Sequence, residues 1–321
     1  GGIMNSVNSA LKKAKFLEYI FRIVLGFAAL FIGIILPIII FIILYKEASL
    51  AIDKFGIINF ITSTDWDPVA GKFGGLVPLV GTLIATFLAT LIAAPISMGI
   101  AIFLTELSPN KLKPIFSTAI ELLAAIPSII YGMWGLFVVA PLFGEKVEPW
   151  LQDKLGNIPV IGKLFEGSPT GVDVLTTSLV LAIMIIPFMS SVVKDAFNMV
   201  PPIMKESAYA LGATKWEVIK QVMIPITASG IAGGLILSVG RALGETMAVT
   251  FLAGNVNQIP HSLLDPFTTI TVALANQFTE ADTDIYLSSL YFLALILFIM
   301  SFVILYLSKL MLLQIEKKWK V

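Results

Sequence analysis

Two full charges, Arg241 and Glu245, stand in the run "SGIAGGLILSVGRALGETMAVTFLAG", which is otherwise uncharged and mostly apolar. A guanidinium presents planar, paired donors that fit two oxygens of an oxyanion, and it stays protonated at physiological pH. A carboxylate four residues later falls on the same helical face, where it can pair with the arginine across one turn. Each charge at a bilayer centre costs about 2.5–3.5 kcal/mol on insertion scales, so two apolar residues would be more stable there. The pair therefore points to an anion path, with a buried ion pair that only fixes helix packing as the alternative. Ser238, Thr246 and Thr250 could line such a path, although hydroxyls in apolar helices commonly bond their own backbone.

The elements that must hold these residues follow from composition. The chain has 321 residues, 57% of them hydrophobic and 13% charged, with a mean hydropathy of +0.94. A soluble domain carries about 25% charged residues, so this chain is a polytopic membrane protein. Six apolar runs are long enough to cross a bilayer as helices: 19–44, 76–104, 115–143, 174–193, 226–253 and 285–307. Prolines 37, 95, 127 and 187 fall inside them and predict kinks. Gly230 with Gly234, and Gly240 with Gly244, form two G-x-x-x-G steps that predict a closely packed fifth span. No internal repeat is visible, which argues against the inverted-repeat plan of many secondary transporters.

Charge alternates between the connecting segments. Fourteen of the 21 basic residues fall in the N-terminal segment, the 105–114 connection, the stretch 194–225 and the C-terminal tail; six fall in the other loops. The positive-inside rule then places both termini in the cytoplasm. The division expected is a cytoplasmic segment 1–18, a six-span domain 19–312 and a cytoplasmic tail 313–321. Gly1–Ile3 precede the first methionine, Met4, and read as a remnant of expression. Trp66, Trp150 and "IPVIGKLF" in the outer loops read as interfacial anchors. The chain has no cysteine, which excludes disulfides and thiolate chemistry. A lone histidine, His261, makes no metal site, while Asn255 and Asn257 either border the outer mouth or form a plain turn.

The stretch "KESAYALGATKWEVIKQVMIPI" (205–226) reads as a short helix, a turn at Gly212 and a second, amphipathic helix. Glu206, Ser207 and Ala208, then Gly212 and Ala213, Trp216, and finally Val222, Ile224 and Pro225 closely resemble the EAA loop of ABC importer permeases. Ser207 stands where that family usually has Ala, a small-for-small change. The resemblance implies a coupling helix, within about 200–225, seated in a cleft of an ATP-hydrolysing subunit. The chain has no G-x-x-x-x-G-K-[ST], so ATP and Mg would sit on that partner, and this chain would be neither an enzyme nor a cofactor carrier.

The run "GRALGETMAVTF" further resembles the fifth span of phosphate importer permeases of the PstC type, and "ELLAAIPSIIYGMWGL" (121–136) their third. This implies an all-α, type I ABC importer permease core of six spans. Arg241 and Glu245 would bind substrate, and Glu121, Thr246 and Thr250 are possible pathway residues. Glu245 would either neutralise Arg241 at rest or accept the hydrogen bond of a protonated phosphate. Glu121 sits either at the inner mouth or among headgroups near Lys113. The implied partners are a PstA-like permease, a PstB-like ATPase dimer and an external PstS-like phosphate-binding protein, all in a bacterial cytoplasmic membrane. Sulfate or molybdate as substrate, and the PstA-type subunit, remain open alternatives. So do a secondary transporter and a membrane sensor.

Overall fold

In lipid every backbone N–H and C=O must find its partner within the protein, and a helix meets most of that demand by itself. The chain, described here by a computed structural model over residues 2–319, is accordingly mostly helical. Helix α1 covers residues 2–55, passing through a π turn at Phe31–Ile35. A short helix, Ile57–Thr62, leads to the hairpin of β1 (Trp66–Asp67) and β2 (Lys72–Phe73). There follow α2 (Leu76–Leu107), α3 (Lys113–Ala125), α4 (Ser128–Leu155) and α5 (Val174–Asn198). Then come α6 (Pro202–Ala210), α7 (Lys215–Ile226), α8 (Ala228–Leu243), α9 (Met247–Leu252), α10 (Ile270–Gln277) and α11 (Asp284–Trp319). Lys320, counted with the basic tail, lies outside the described residues.

Among the described residues, five helices are long and apolar enough to cross a membrane: Ala10–Phe55 of α1, α2, α4, α5 and Asp284–Gln314 of α11. The remaining expected span, 226–253, is not one helix. Its first part, α8, follows α7 at a bend of 73°, and a second break separates it from α9. The expected third span, 115–143, also divides. Pro127 disfavours a helical residue before it, so Ile126 turns extended (ψ 130), α3 stops and α4 restarts at Ser128. That helix then continues to Leu155, beyond the expected end of the span at 143. Pro95 and Pro187, by contrast, lie within unbroken helices.

The core is built on α2 and α5. Ala85, Ala89, Ala93, Ser97 and Ala101 recur every fourth residue along α2, all buried, and let α5 approach closely. Ser97 Oγ donates to Ile186 O across this seam at 3.3 Å. Helix α8 closes on α5 through the first glycine step: a Cβ on Gly230 would lie 2.6 Å from Ala196 Cβ, and one on Gly234 3.2 Å from Val192 Cγ1. The second step makes no such approach. Gly240 would meet Leu305 only at 3.8 Å, and Gly244 nothing beyond its own helix. Helix α1 leans on α11, where Ser288 Oγ donates to Glu47 O at 2.8 Å and accepts from Ala51 N at 3.0 Å.

At the end of the molecule that carries the hairpin, aromatic rings knit the connections together. Trp66 packs edge-on against Phe73 and Tyr286, and its Nε1 donates to Gln277 Oε1 at 2.7 Å. It is therefore a structural anchor rather than a free interfacial ring, whereas Trp150 is exposed. Asp173 caps α5 by accepting from Thr176 N at 2.9 Å, and Gly171 N donates to the buried Glu148 carboxylate at 3.2 Å. Burial pushes the Asp173 carboxyl above the ordinary range.

The two glycine steps make opposite predictions. Gly230→Val should force α8 from α5 and lower stability by about 1–3 kcal/mol. Gly240→Ala, in ordinary contact distance, should leave it unchanged. Thermal unfolding of the detergent-solubilised protein reads both, and equal effects at the two positions would refute this account of the packing.

Candidate functional site

Arg241 lies in the last turn of α8, and the helix ends two residues later at Leu243. Gly244 and Glu245 form the turn that follows, with Glu245 N donating to Ala242 O at 3.3 Å, and α9 begins at Met247. The expected i,i+4 pairing of Arg241 with Glu245 is therefore not made. The helix breaks between them, and no carboxylate among the described residues lies within ion-pair distance of Arg241. Arg241 Nε is buried and has no hydrogen-bond partner. Glu245, also buried, turns instead toward the start of α9, where its Oε1 accepts from Ala248 N at 3.4 Å.

Neighbouring elements enclose the break. Gly132 of α4 brings the two helices together so closely that a Cβ would fall 3.0 Å from Ala248 Cα. The preceding Tyr131 is buried in the same cluster as Ala242, Ala248 and Val249, with its hydroxyl donating to Leu123 O at 2.8 Å. From the other side, the segment before α10 folds inward. Thr271 Oγ1 donates to Glu245 O at 2.8 Å, and Thr82 Oγ1 of α2 accepts from Ile270 N at 3.0 Å. Thr271 and Thr82 were not singled out by the sequence. Their only signal is a hydroxyl in an apolar stretch, which the chain repeats many times.

The other candidate hydroxyls serve the backbone. Thr246 Oγ1 donates to Gly244 O at 3.3 Å, Thr250 Oγ1 to Thr246 O at 2.7 Å, and Ser238 Oγ to Gly234 O at 2.8 Å. Asn255 has a left-handed backbone (φ 55) and ties a turn by donating to Thr250 O, while Asn257 donates across to Thr64 O in the segment before β1. His261 lies in a turn where its backbone N–H donates to Asp265 Oδ2. Glu121 is paired, but not where Lys113 would draw it. Lys194 Nζ of α5 reaches it at 3.1 Å, and Lys113 instead donates to Thr105 O at 2.8 Å.

The segment 200–226 has the form its spacing implies. Helix α6 ends at Ala210, Gly212 takes φ +89, a conformation that favours glycine, and α7 starts under a capping box of Thr214 and Glu217. Val218, Ile219 and Met223 are buried against Ala101, Val193 and Phe197, with Ala208 and Ala213 packed alongside. Leu211 projects at the turn, 91% exposed, next to exposed Trp216, Glu206 and Ser207. One face is thus seated on the helices, and the other offers an apolar knob.

A helical core entered by a broken span, with the helical hairpin 200–226 seated against α2 and α5, defines a class of membrane permease. Residues 93–320 match the family described as binding-protein-dependent transport system inner membrane component. Its members are membrane components of transport systems, not enzymes. A phosphate transport system permease protein PstC of Pasteurella multocida is 49% identical over 302 residues, covering 94% of this chain and 93% of that one. That of Haemophilus influenzae is 53% identical over 267 residues, 83% of this chain and 84% of its own length. The chain belongs to the PstC family of permeases. In fold it is similar to a crystal structure of a bacterial alginate ABC transporter in complex with its alginate pentasaccharide-bound periplasmic protein. That likeness has a TM-score of 0.60 at 17% identity and covers 95% of this chain and 98% of that chain.

The break at 243–247 rests on Thr271. Thr271→Val should leave Glu245 O without its partner and destabilise the turn by about 1–3 kcal/mol. Amide exchange at Glu245 to Ala248 should accelerate while α2 and α5 stay protected; unchanged exchange would show that the turn holds itself.

Proposed function

We propose that this chain forms one half of the membrane path of an ATP-driven importer of inorganic phosphate. One observation carries the reading: an arginine whose Nε is buried and unpaired, at a helix break inside the apolar core. The residue as a whole is half-buried; a cation without a counter-ion in apolar surroundings is unfavourable, and an anion passing through supplies the missing charge and acceptors. Arg241 would take two phosphate oxygens. Glu245, held beside the break and not consumed by an ion pair, would accept the hydrogen bond of the phosphate that still carries a proton. Sulfate has no proton to give, so it would meet the carboxylate with repulsion alone. The names of the Pasteurella and Haemophilus relatives agree with this substrate.

The second permease would be PstA-like and the external binding protein PstS-like. A PstB-like ATPase dimer would carry ATP and Mg, with no cofactor on this chain. Both termini would be cytoplasmic, which places the 200–226 hairpin inside and β1–β2 outside. Glu206, Ser207, Ala208, Gly212, Ala213 and Trp216 would meet the ATPase, with Leu211 as the knob. ATP binding would draw the hairpins of the two permeases together and open the path outward. Glu121, paired with Lys194, would stand at the inner mouth, and Thr246 and Thr250 would line the turn.

Uptake of labelled phosphate into proteoliposomes holding the complete complex and its binding protein tests the site. Arg241→Ala should lower ATP-dependent uptake at least about tenfold, equivalent to about 1.4 kcal/mol, with the complex still assembled. Glu245→Gln should weaken the preference for phosphate over sulfate. Uptake that survives Arg241→Ala would make the arginine structural. Separately, Leu211→Asp should leave thermal stability unchanged, since exposed substitutions shift it by about 0.5 kcal/mol or less. It should nevertheless abolish copurification of the ATPase; retained copurification would place the docking surface elsewhere.

A further inference from the structure

Three lysines from three separate segments meet at the end of one helix. Helix α2 finishes in a π turn, Phe103–Leu107, whose last carbonyls have no partner within the helix. Lys113 Nζ, at the start of α3, donates to Thr105 O at 2.8 Å. Lys215 Nζ, at the start of α7, donates to Glu106 O at 3.1 Å. Lys205 Nζ, from α6, reaches Glu106 Oε1 at 2.9 Å. The Glu106 side chain is only 9% exposed and that of Lys205 26%, so this pair is sheltered from solvent screening.

The arrangement has a direction. Lys205 precedes the Gly212 turn and Lys215 follows it, so both arms of the 200–226 hairpin hold the same residue of α2. Cations also suit the negative end of a helix dipole. Against α5 the hairpin packs apolar side chains, with Val218, Ile219 and Met223 beside Val193 and Phe197. Apolar faces slide, whereas a sheltered charge pair with two carbonyl bonds fixes position along the helix axis. Lysines that merely sat among headgroups would point outward and would not converge on one residue.

We infer that Glu106 is a positioning residue: the strut through which displacement of the hairpin is delivered to α2, and through the α2–α5 seam to the core. This rests on the reading of the hairpin as the ATPase-coupling element. It assigns to Lys205, which lies just outside the EAA-like residues, the task of holding the hairpin to the permease rather than to the ATPase.

The test uses the complete complex in proteoliposomes, with ATP hydrolysis and phosphate uptake measured on the same preparation. Glu106→Lys and Lys205→Glu should each lower phosphate taken up per ATP hydrolysed at least about fivefold, while the ATPase still copurifies. The double swap, Glu106→Lys with Lys205→Glu, should restore the ratio to within about twofold of wild type, as expected of two groups whose interaction is the cause. Single variants with a wild-type ratio overturn the proposal, and so does a double swap that recovers nothing. Should a single variant fail to assemble, Glu106→Gln, which keeps shape and an acceptor, must assemble and show a smaller loss of the ratio; a wild-type ratio there also overturns it. A wild-type complex that hydrolyses ATP but takes up no phosphate would sink the substrate reading alone. The strut would then be read in the same variants as lost stimulation of ATP hydrolysis by the binding protein.

Discussion

A helix that breaks inside a membrane must return its freed backbone groups to the protein, and the surroundings of residues 243–247 are arranged to do so. Glu245 N folds back on Ala242 O, Glu245 Oε1 accepts from the start of α9, and Thr271 covers Glu245 O. These bonds demand neighbours at close range. Gly132 supplies one by letting α4 touch α9, and the inward fold of 267–271, bonded to Thr82, supplies another. Had the helix run through unbroken, Glu245 would have faced Arg241 and neutralised it. The break is what leaves the guanidinium unpaired, so the backbone geometry and the chemistry of the site are one feature.

The same demand shapes the opposite end of the core. The last carbonyls of α2 cannot be satisfied within their π turn, and lysine side chains of other segments satisfy them: Lys113 at the start of α3 bonds Thr105 O, and Lys215 of the 200–226 hairpin bonds Glu106 O. A terminus closed by another segment's side chains moves with that segment. One closed by its own residues, as α7 is by Thr214 and Glu217, moves independently. Helices α2 and α7 therefore meet as distinct bodies joined at named atoms.

Much of this was legible in the sequence, for physical reasons that also mark where legibility ends. Membrane residence, the apolar runs and the turn at Gly212 follow from composition, length and the one residue type that takes positive φ freely. Arg241 and Glu245 stood out because charge is rare in apolar runs. Their relation did not, because a pattern four residues apart presupposes a continuous helix. Gly244 is compatible both with a close-packed helix and with its end, and only tertiary partners such as Thr271 decide between them. Pro127 shows a similar limit: three other prolines lie within continuous helices, so a proline alone does not announce a break. Trp66 was read by type as interfacial, but its partner Gln277 lies more than two hundred residues away and leaves no local trace.

The two glycine steps of α8 look alike in sequence, and their difference in the fold bears on how the helix works. Gly230 and Gly234 press the half of α8 nearest the hairpin onto Ala196 and Val192. Gly240, beside Arg241, meets its neighbour only at an ordinary 3.8 Å, and Gly244 ends the helix. Close packing transmits displacement because its contacts cannot yield without overlap. Looser packing lets a side chain change partners at little cost. Helix α8 is thus pressed closely on α5 at its first glycine step, while farther on Ser238, Val239, Ala242 and Leu243 are buried and Gly240 leaves room beside Arg241. A uniformly tight helix would fix Arg241 in one position, and a uniformly loose one would not pass on the hairpin's movement. Close contact at Gly230 and Gly234, with space at Gly240, meets both requirements within sixteen residues.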